Sequence, residues 1–238
     1  MKNNTDRLNE WFVPKFGPTK FRVFIGMLFL PYTGMCISFS IIGSLISETI
    51  FWDRVLAIFL IYFFGLGISA HALDNIGSKI RPWGNYFTKK ELKFMTICGI
   101  CISYSIGLYY VVTVAPLLLI IGILEGFFLF AYNLELFKGY FHTNFWFALS
   151  WGSLPLLAGY IIQTNSISIL AILCAIIVFI FSYLEIRFSR DYKKLKKTTE
   201  IKYLKRSRKL ESYLKLLSLS IIIFSVLFLF FRLFLDIT

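Results

Sequence analysis

Apolar stretches alternate along the chain with short or basic segments. About 20 apolar residues in a helix are needed to cross the hydrocarbon core of a bilayer. Seven stretches of about that length cover, roughly, residues 22–46, 52–74, 92–113, 115–134, 144–163, 166–186 and 214–234. The pattern predicts an all-α, polytopic membrane helical bundle with about seven transmembrane helices, which form a single transmembrane domain over residues 1–238.

The composition also indicates a membrane protein. Hydrophobic residues make up 58% of the chain, and the mean hydropathy is +0.73. A soluble domain of 238 residues could not bury this much apolar surface, because its surface must largely face water. We therefore expect lipid to surround most of the chain.

The formal charge of +12, taken alone, would suggest a nucleic-acid partner. However, 23 of the 25 Lys and Arg residues fall in four segments that seven crossings would place on one side of the membrane. Basic residues collect on the cytoplasmic side of membrane proteins. The distribution predicts a cytoplasmic N-terminus, an external C-terminus and no nucleic-acid partner, with residues 1–20 as a cytoplasmic or interfacial segment.

The longest basic segment, residues 187–213, also carries apolar and aromatic residues at intervals. Such a segment is attracted to anionic lipid headgroups when it lies on the membrane surface. One interpretation is a basic interfacial helix near 190–212 that contacts membrane lipids. The alternative is a charged cytoplasmic loop that only fixes the topology.

A first polar group ends the second apolar stretch. His71, Asp74 and Asn75 are spaced three and four residues apart, which places them on one helical face. Lys79 and Arg81 follow closely. A carboxylate beside two cations could bind a metal–diphosphate group. The alternative is an interfacial Asp that pairs with a neighbouring Lys.

A second polar group follows the fourth stretch and comprises Tyr132, Asn133, Glu135, Lys138 and His142. Glu125 lies two helical turns deeper and on the same face as Tyr132. A carboxylate inside the membrane is a functional candidate by default, because placing it in lipid is costly. The alternative is a protonated Glu125 that bonds to a neighbouring helix.

The two polar groups carry a resemblance to a known family. The segments AHALDNIGS and IRPWGNYFTKKEL, followed by YNLELFK and WGSLP, resemble in order and sidedness the motifs of the UbiA superfamily of intramembrane prenyltransferases. The resemblance covers roughly residues 15–190. The chain departs from the family pattern where Ala70-His71 replaces Asn-Asp and where Ser78 replaces a third Asp.

The resemblance implies that an isoprenoid chain passes from a prenyl diphosphate to a lipophilic or aromatic acceptor in a cytoplasm-facing cavity. Mg²⁺ would be held by Asp74, Glu185 and Asp191. Catalysis would depend on Asp74, Glu125 and Tyr132. The diphosphate would be bound by Asn75, Lys79, Arg81, Asn133 and Lys138. Tyr132, Trp146 and Trp151 would shield the allylic cation.

Two alternatives to an enzyme remain open from the sequence. A non-catalytic relative of the same fold that binds an isoprenoid or another lipid would explain the missing Asp residues. A small transporter would use Glu125 as a proton or ion site.

Overall fold

The computed structural model describes residues 4–78, 83–196 and 200–237, without the side chains of residues 4–6, 201, 236 and 237. Every regular element in these ranges is helical. The α-helices in chain order are α1 Thr19–Met27, α2 Leu30–Leu45, α3 Trp52–Tyr62, α4 His71–Gly77, α5 Lys89–Thr113, α6 Leu118–Asn133, α7 Asn144–Ala148, α8 Leu154–Thr164, α9 Ile169–Leu195 and α10 Ile201–Ile237. Wider π-helical turns at Phe63–Ala70 and Leu149–Ser153 join α3 to α4 and α7 to α8, and short 3₁₀ turns occupy Asn4–Asn9 and Phe137–Gly139.

The lengths of the helices are consistent with a multi-pass membrane protein. Within the described ranges, six helical units are long and apolar enough to cross a bilayer: Thr19–Leu45, Trp52–Gly77, Lys89–Thr113, Asn144–Thr164, Ile169–Leu195 and Lys202–Leu235. Helix α6 is shorter, because its 16 residues extend only about 24 Å. The predicted count of seven spanning helices is therefore not confirmed.

Side-chain contacts define the two ends of the bundle. At one end, here called the basic end, Lys20 forms a salt bridge of 2.6 Å with Glu91, and Lys196 forms one of 2.7 Å with Glu10. At the other end, the amide of Gln163 bonds to both backbone groups of Phe51. Which end faces the cytoplasm stays a prediction from the sequence.

The interfacial helix predicted near 190–212 is not confirmed either. Helix α9 continues as far as Leu195, and α10 begins at Ile201, so two long helices extend into this segment from both sides. Glu185, Ser189 and Tyr192 are buried at helical spacing along α9. Tyr192, one of the aromatic residues of the basic segment, thus packs inside the bundle.

Helices α2 and α8 cross closely because small residues form their interface. A Cβ atom on Gly43 would collide with the carbonyl group of Leu156, and one on Gly159 would collide with the carbonyl of Ser40. The hydroxyl of Ser44 donates to the carbonyl of Gly159 over 2.9 Å. Small residues of this kind let helix backbones approach each other in lipid, where helices gain little from burying apolar surface.

The two basic residues that the sequence places away from the basic end stabilise helix termini. Arg54 donates to the carbonyls of Ile162 and Gln163, near the end of α8. Arg232 donates to the carbonyls of Ser47 and Glu48, just after α2. Terminal carbonyls lack partners within their helix and carry partial negative charge, so a guanidinium is a suitable partner there.

We predict that Gly43→Ala and Gly159→Ala each destabilise the bundle by about 1–3 kcal/mol, because overpacking at a backbone contact exceeds the gain of about 1 kcal/mol in helix propensity. The measurement is the thermal unfolding midpoint of the purified protein in detergent. Gly122→Ala is the matched control, since its Cβ would meet no atom within 4 Å. Equal midpoints for all three variants would contradict the close crossing of α2 and α8.

Candidate functional site

The helical backbone is interrupted at Phe29, near the basic end. Phe29 separates α1 from α2 and has a φ of 46°, in the left-handed region that a bulky residue rarely adopts. Pro31 then occupies the first turn of α2, where its missing N–H is not needed. Non-glycine residues with such a φ persist only where their surroundings hold them.

Aromatic rings surround Phe29. The ring centroid of Phe29 lies 5.2 Å from that of His71, 5.3 Å from Phe12 and 5.5 Å from Trp83. His71 also lies 5.3 Å from Trp151, and its Nε2 is 3.1 Å from the hydroxyl of Thr33. These contacts bring the N-terminal segment, α2, α4 and the turn before α8 into one cluster.

Two cations from distant parts of the chain face the ring of Phe29. The guanidinium carbon of Arg7 lies 5.4 Å from its centroid and 5.2 Å from that of Trp83. The Nζ of Lys193 lies 5.8 Å from the Phe29 centroid, and the side chain of Lys193 remains exposed. Cations over aromatic faces are attracted by the ring quadrupole.

The negative charge of Asp74 acts on both of these cations. Burial lowers the pKa of the Arg7 guanidinium from its ordinary value, and the charge of Asp74 opposes this effect. Lys193 is attracted by Asp74 and Glu185, and it is repelled by Arg7 and Arg190. Asp74 also accepts a hydrogen bond of 3.3 Å from the hydroxyl of Ser78.

Arg190 connects this charge cluster to the end of α6. One guanidinium nitrogen of Arg190 donates to the hydroxyl of Tyr132 over 3.4 Å and to the carbonyl of His142 over 3.1 Å. The rings of Tyr132 and His142 stack with centroids 4.4 Å apart. We call the set Arg7, Asp74, Tyr132, Glu185, Arg190 and Lys193 the basic-end cluster.

The N-terminal segment is held against α9 next to the basic-end cluster. Glu10 accepts hydrogen bonds from the hydroxyl of Tyr192 over 3.1 Å and from the Nζ of Lys196 over 2.7 Å. These bonds help to hold Arg7, three residues earlier, in its position over Phe29.

The structure brings together only part of the set of site residues predicted from the sequence. Asp74, Tyr132 and Glu185 belong to the basic-end cluster, and Asp191 is partly exposed on α9. Lys138 is exposed on the loop after α6, in the left-handed region at a φ of 57°.

Two further predicted ligands, Asn75 and Asn133, are buried. Asn133 is buried and donates to the carbonyl of Leu129 within α6, whereas the buried Oδ1 of Asn75 has no hydrogen-bond partner among the described residues. Lys79 and Arg81 lie outside the described residues.

The donor set does not resemble a magnesium site. No group of three or more His, Cys, Asp or Glu side chains in the described ranges lies close enough to hold a metal ion. Mg²⁺ prefers several oxygen ligands in octahedral geometry, but the carboxylate of Asp74 interacts with Arg7 and Lys193, which would repel a cation. Magnesium thus stays a prediction that rests on the resemblance alone.

Glu125 belongs to a separate place in the molecule. It receives a hydrogen bond of 3.0 Å at Oε1 from the hydroxyl of Tyr62, while its buried Oε2 has no partner among the described residues. Glu125 lines a cavity of about 140 Å³ between α5 and α6. Glu125 and Tyr132 were expected on one face of the helix, but they belong to two separate sites.

Sequence reasoning missed three members of the basic-end cluster. It assigned Arg7 only to the topological excess of positive charge, and it assigned Arg190 and Lys193 to a basic segment that either lies on the membrane surface or only fixes the topology. A signal for α9 was present, because Glu185, Ser189 and Lys193 recur every four residues and indicate that the helix continues past the apolar stretch. No sequence signal places Arg7, since its position depends on tertiary packing.

In comparisons with known proteins, no family model, no curated protein and no solved structure matches this chain.

Proposed function

We propose that this protein binds the phosphate or diphosphate head of a membrane lipid at the basic-end cluster, with that end facing the cytoplasm. The observation that carries the proposal is that Arg7 and Lys193 face the same ring of Phe29 and both interact electrostatically with Asp74, while Arg190 lies close enough to Lys193 to repel it. Lys193 is repelled by Arg7 and Arg190. The nearby carboxylates are Asp74, Glu185 and Glu10, and Glu10 is already paired with Lys196. An anionic ligand would complete the balance.

The chemistry of these side chains suits phosphate oxygens. Guanidinium groups donate several hydrogen bonds in a fixed plane, and a lysine adds a compact positive charge. Lys193 is exposed, and Arg7 and Arg190 are half-buried, so a ligand headgroup can reach them. The sequence resemblance favours an isoprenoid as the tail of this ligand, as in the non-catalytic alternative.

Transfer of the isoprenoid is a second candidate function. Its support is the aromatic surface near Asp74, where Trp151 lies 5.3 Å from His71 and stacks on Phe147 at 5.3 Å. Such faces stabilise a cation in a dry site. In this function the basic-end cluster would hold the leaving diphosphate and stabilise its charge.

We predict that Arg7→Gln and Lys193→Gln each weaken binding of geranylgeranyl diphosphate by about 10-fold or more, because a hydrogen bond to a charged group contributes about 1.5–3 kcal/mol. Binding is measured as the ligand-dependent shift in thermal unfolding in detergent with EDTA present. Geranylgeraniol, which has the same tail without phosphate, should give no comparable difference between the variants and the wild type.

Lys194→Gln is the matched control for Lys193→Gln, since Lys194 is its exposed neighbour on α9. Both variants remove one positive charge from the same turn. If Lys194→Gln weakens diphosphate binding as much as Lys193→Gln does, the attraction is only general and the proposed site is wrong.

We predict that Asp74→Asn strengthens diphosphate binding several-fold in EDTA, because the variant removes a negative charge next to the ligand and frees Arg7 and Lys193. Metal-assisted transfer requires the opposite outcome, namely weaker binding in Mg²⁺ and loss of prenylated product. The measurement combines affinity with and without Mg²⁺ and a product assay with a hydroxylated aromatic acceptor. Weaker binding with loss of product would support the second candidate function instead.

A further inference from the structure

The cavity beside Glu125 is a groove on the lipid-facing side of the bundle. Helices α5 and α6 form its walls, and Tyr62 and Leu66 contribute to its floor. Leu108, Leu119 and Ile123 line it as well, and their side chains are largely exposed. The groove is therefore accessible from the side of the bundle rather than from the basic end.

Glycines keep the groove open. A Cβ atom added to Gly122 would meet nothing within 4 Å, and one added to Gly107 would meet only the Cδ1 of Ile61 at 3.9 Å. Glycine is a poor helix former, so helix stability does not explain why glycine occupies these two positions. The empty space is instead the result of these two missing side chains.

Glu125 lines the groove and has one carboxylate oxygen without a partner among the described residues. Other polar side chains in its lining are already paired: Ser103 donates to the carbonyl of Ile61 over 2.9 Å, Tyr104 to the carbonyl of Gly122 over 2.8 Å, and Tyr62 to Oε1 of Glu125 over 3.0 Å. Among the residues that the structure describes, the buried Oε2 of Glu125 is left without a partner. A buried polar atom without a hydrogen bond is costly.

We propose that the groove binds a neutral lipid alcohol, whose hydroxyl group bonds to Oε2 of Glu125. Tyr62 donates to Oε1, so Oε2 carries the proton if the carboxyl is neutral and accepts a bond if it is ionised. A hydroxyl both donates and accepts, and it can satisfy Oε2 in either state. A carbonyl ligand can only accept, and an ammonium ligand can only donate.

The surroundings select against charge and favour a slender chain. A charged head would have to enter lipid next to apolar side chains, at a large cost. The cavity of about 140 Å³ is close in size to engineered protein cavities that admit benzene. It therefore accommodates the hydroxyl and the first few carbons, and the remaining chain lies in the bilayer. This site is independent of the proposed phosphate site.

The test uses the full-length protein in phosphatidylcholine nanodiscs and a long-chain alcohol with a diazirine near its hydroxyl. After illumination, labelled peptides are mapped by mass spectrometry. We expect labelling within 103–111 and 118–126, and we expect hexadecanol to compete at least 10-fold better than hexadecane. Equal competition by the alcohol and the alkane would show a purely apolar groove and overturn the proposal.

Three variants separate the groove from its hydrogen bond. Gly122→Leu fills the groove and should abolish labelling, whereas Glu125→Leu should remove the preference for the alcohol over the alkane. Glu125→Gln keeps a donor and an acceptor and should retain that preference. Unchanged labelling in Gly122→Leu, or an unchanged preference in Glu125→Leu, would contradict the proposal.

Val112→Leu is the control for added volume, because Val112 is 75% exposed on α5 and is not part of the groove lining. It should label like the wild type, and loss of labelling there would contradict a localised site. Thermal unfolding of each variant checks folding. If Glu125→Leu does not fold, Gly122→Leu decides the outcome.

Discussion

The need to pair polar groups inside the protein governs this structure. Lipid offers no hydrogen bonds, so a polar group in a spanning helix must find its partner within the bundle. Arg54 meets this need by capping α8, and Ser44 meets it by bonding across to Gly159. Four buried side-chain oxygens in the described ranges do not meet it: Oδ1 of Asn75, Oε2 of Glu125, Oδ1 of Asn144 and Oγ of Ser182. Such exceptions are where a bound molecule has a physical reason to lie.

At the basic end, charged side chains also need partners within the protein. Arg7 and Lys193 face the same aromatic ring of Phe29, and the charge of Asp74 acts on both. Asp74, Glu10 and Glu185 are the carboxylates that act on these cations. A carboxylate that positions cations for an anion needs no second carboxylate, whereas a carboxylate that holds Mg²⁺ does.

Much of the helical architecture was predictable, because long apolar stretches specify membrane helices with little help from tertiary contacts. The proximity of Asp74 to Tyr132 was also within reach, since both residues end helices on the same predicted side. The break at Phe29 was not predictable, because a left-handed residue is normally indicated by Gly or Asn. Arg7 lies over the ring of Phe29, so the position of Arg7 could not be predicted without knowing of this interruption. The continuation of α9 into the basic segment was hidden by its charge, although its buried face keeps helical spacing through Tyr192.

The two candidate sites make opposite demands on a ligand. Seven residues separate Glu125 from Tyr132, which corresponds to about 10 Å along α6. The basic-end cluster attracts negative charge, but the groove excludes charge and offers one oxygen to a hydroxyl. A phosphorylated lipid therefore fits the first site and not the second, and the corresponding free alcohol fits the second and not the first. The phosphate group alone distinguishes the ligand proposed for one site from the ligand proposed for the other. Binding at one site therefore does not imply binding at the other.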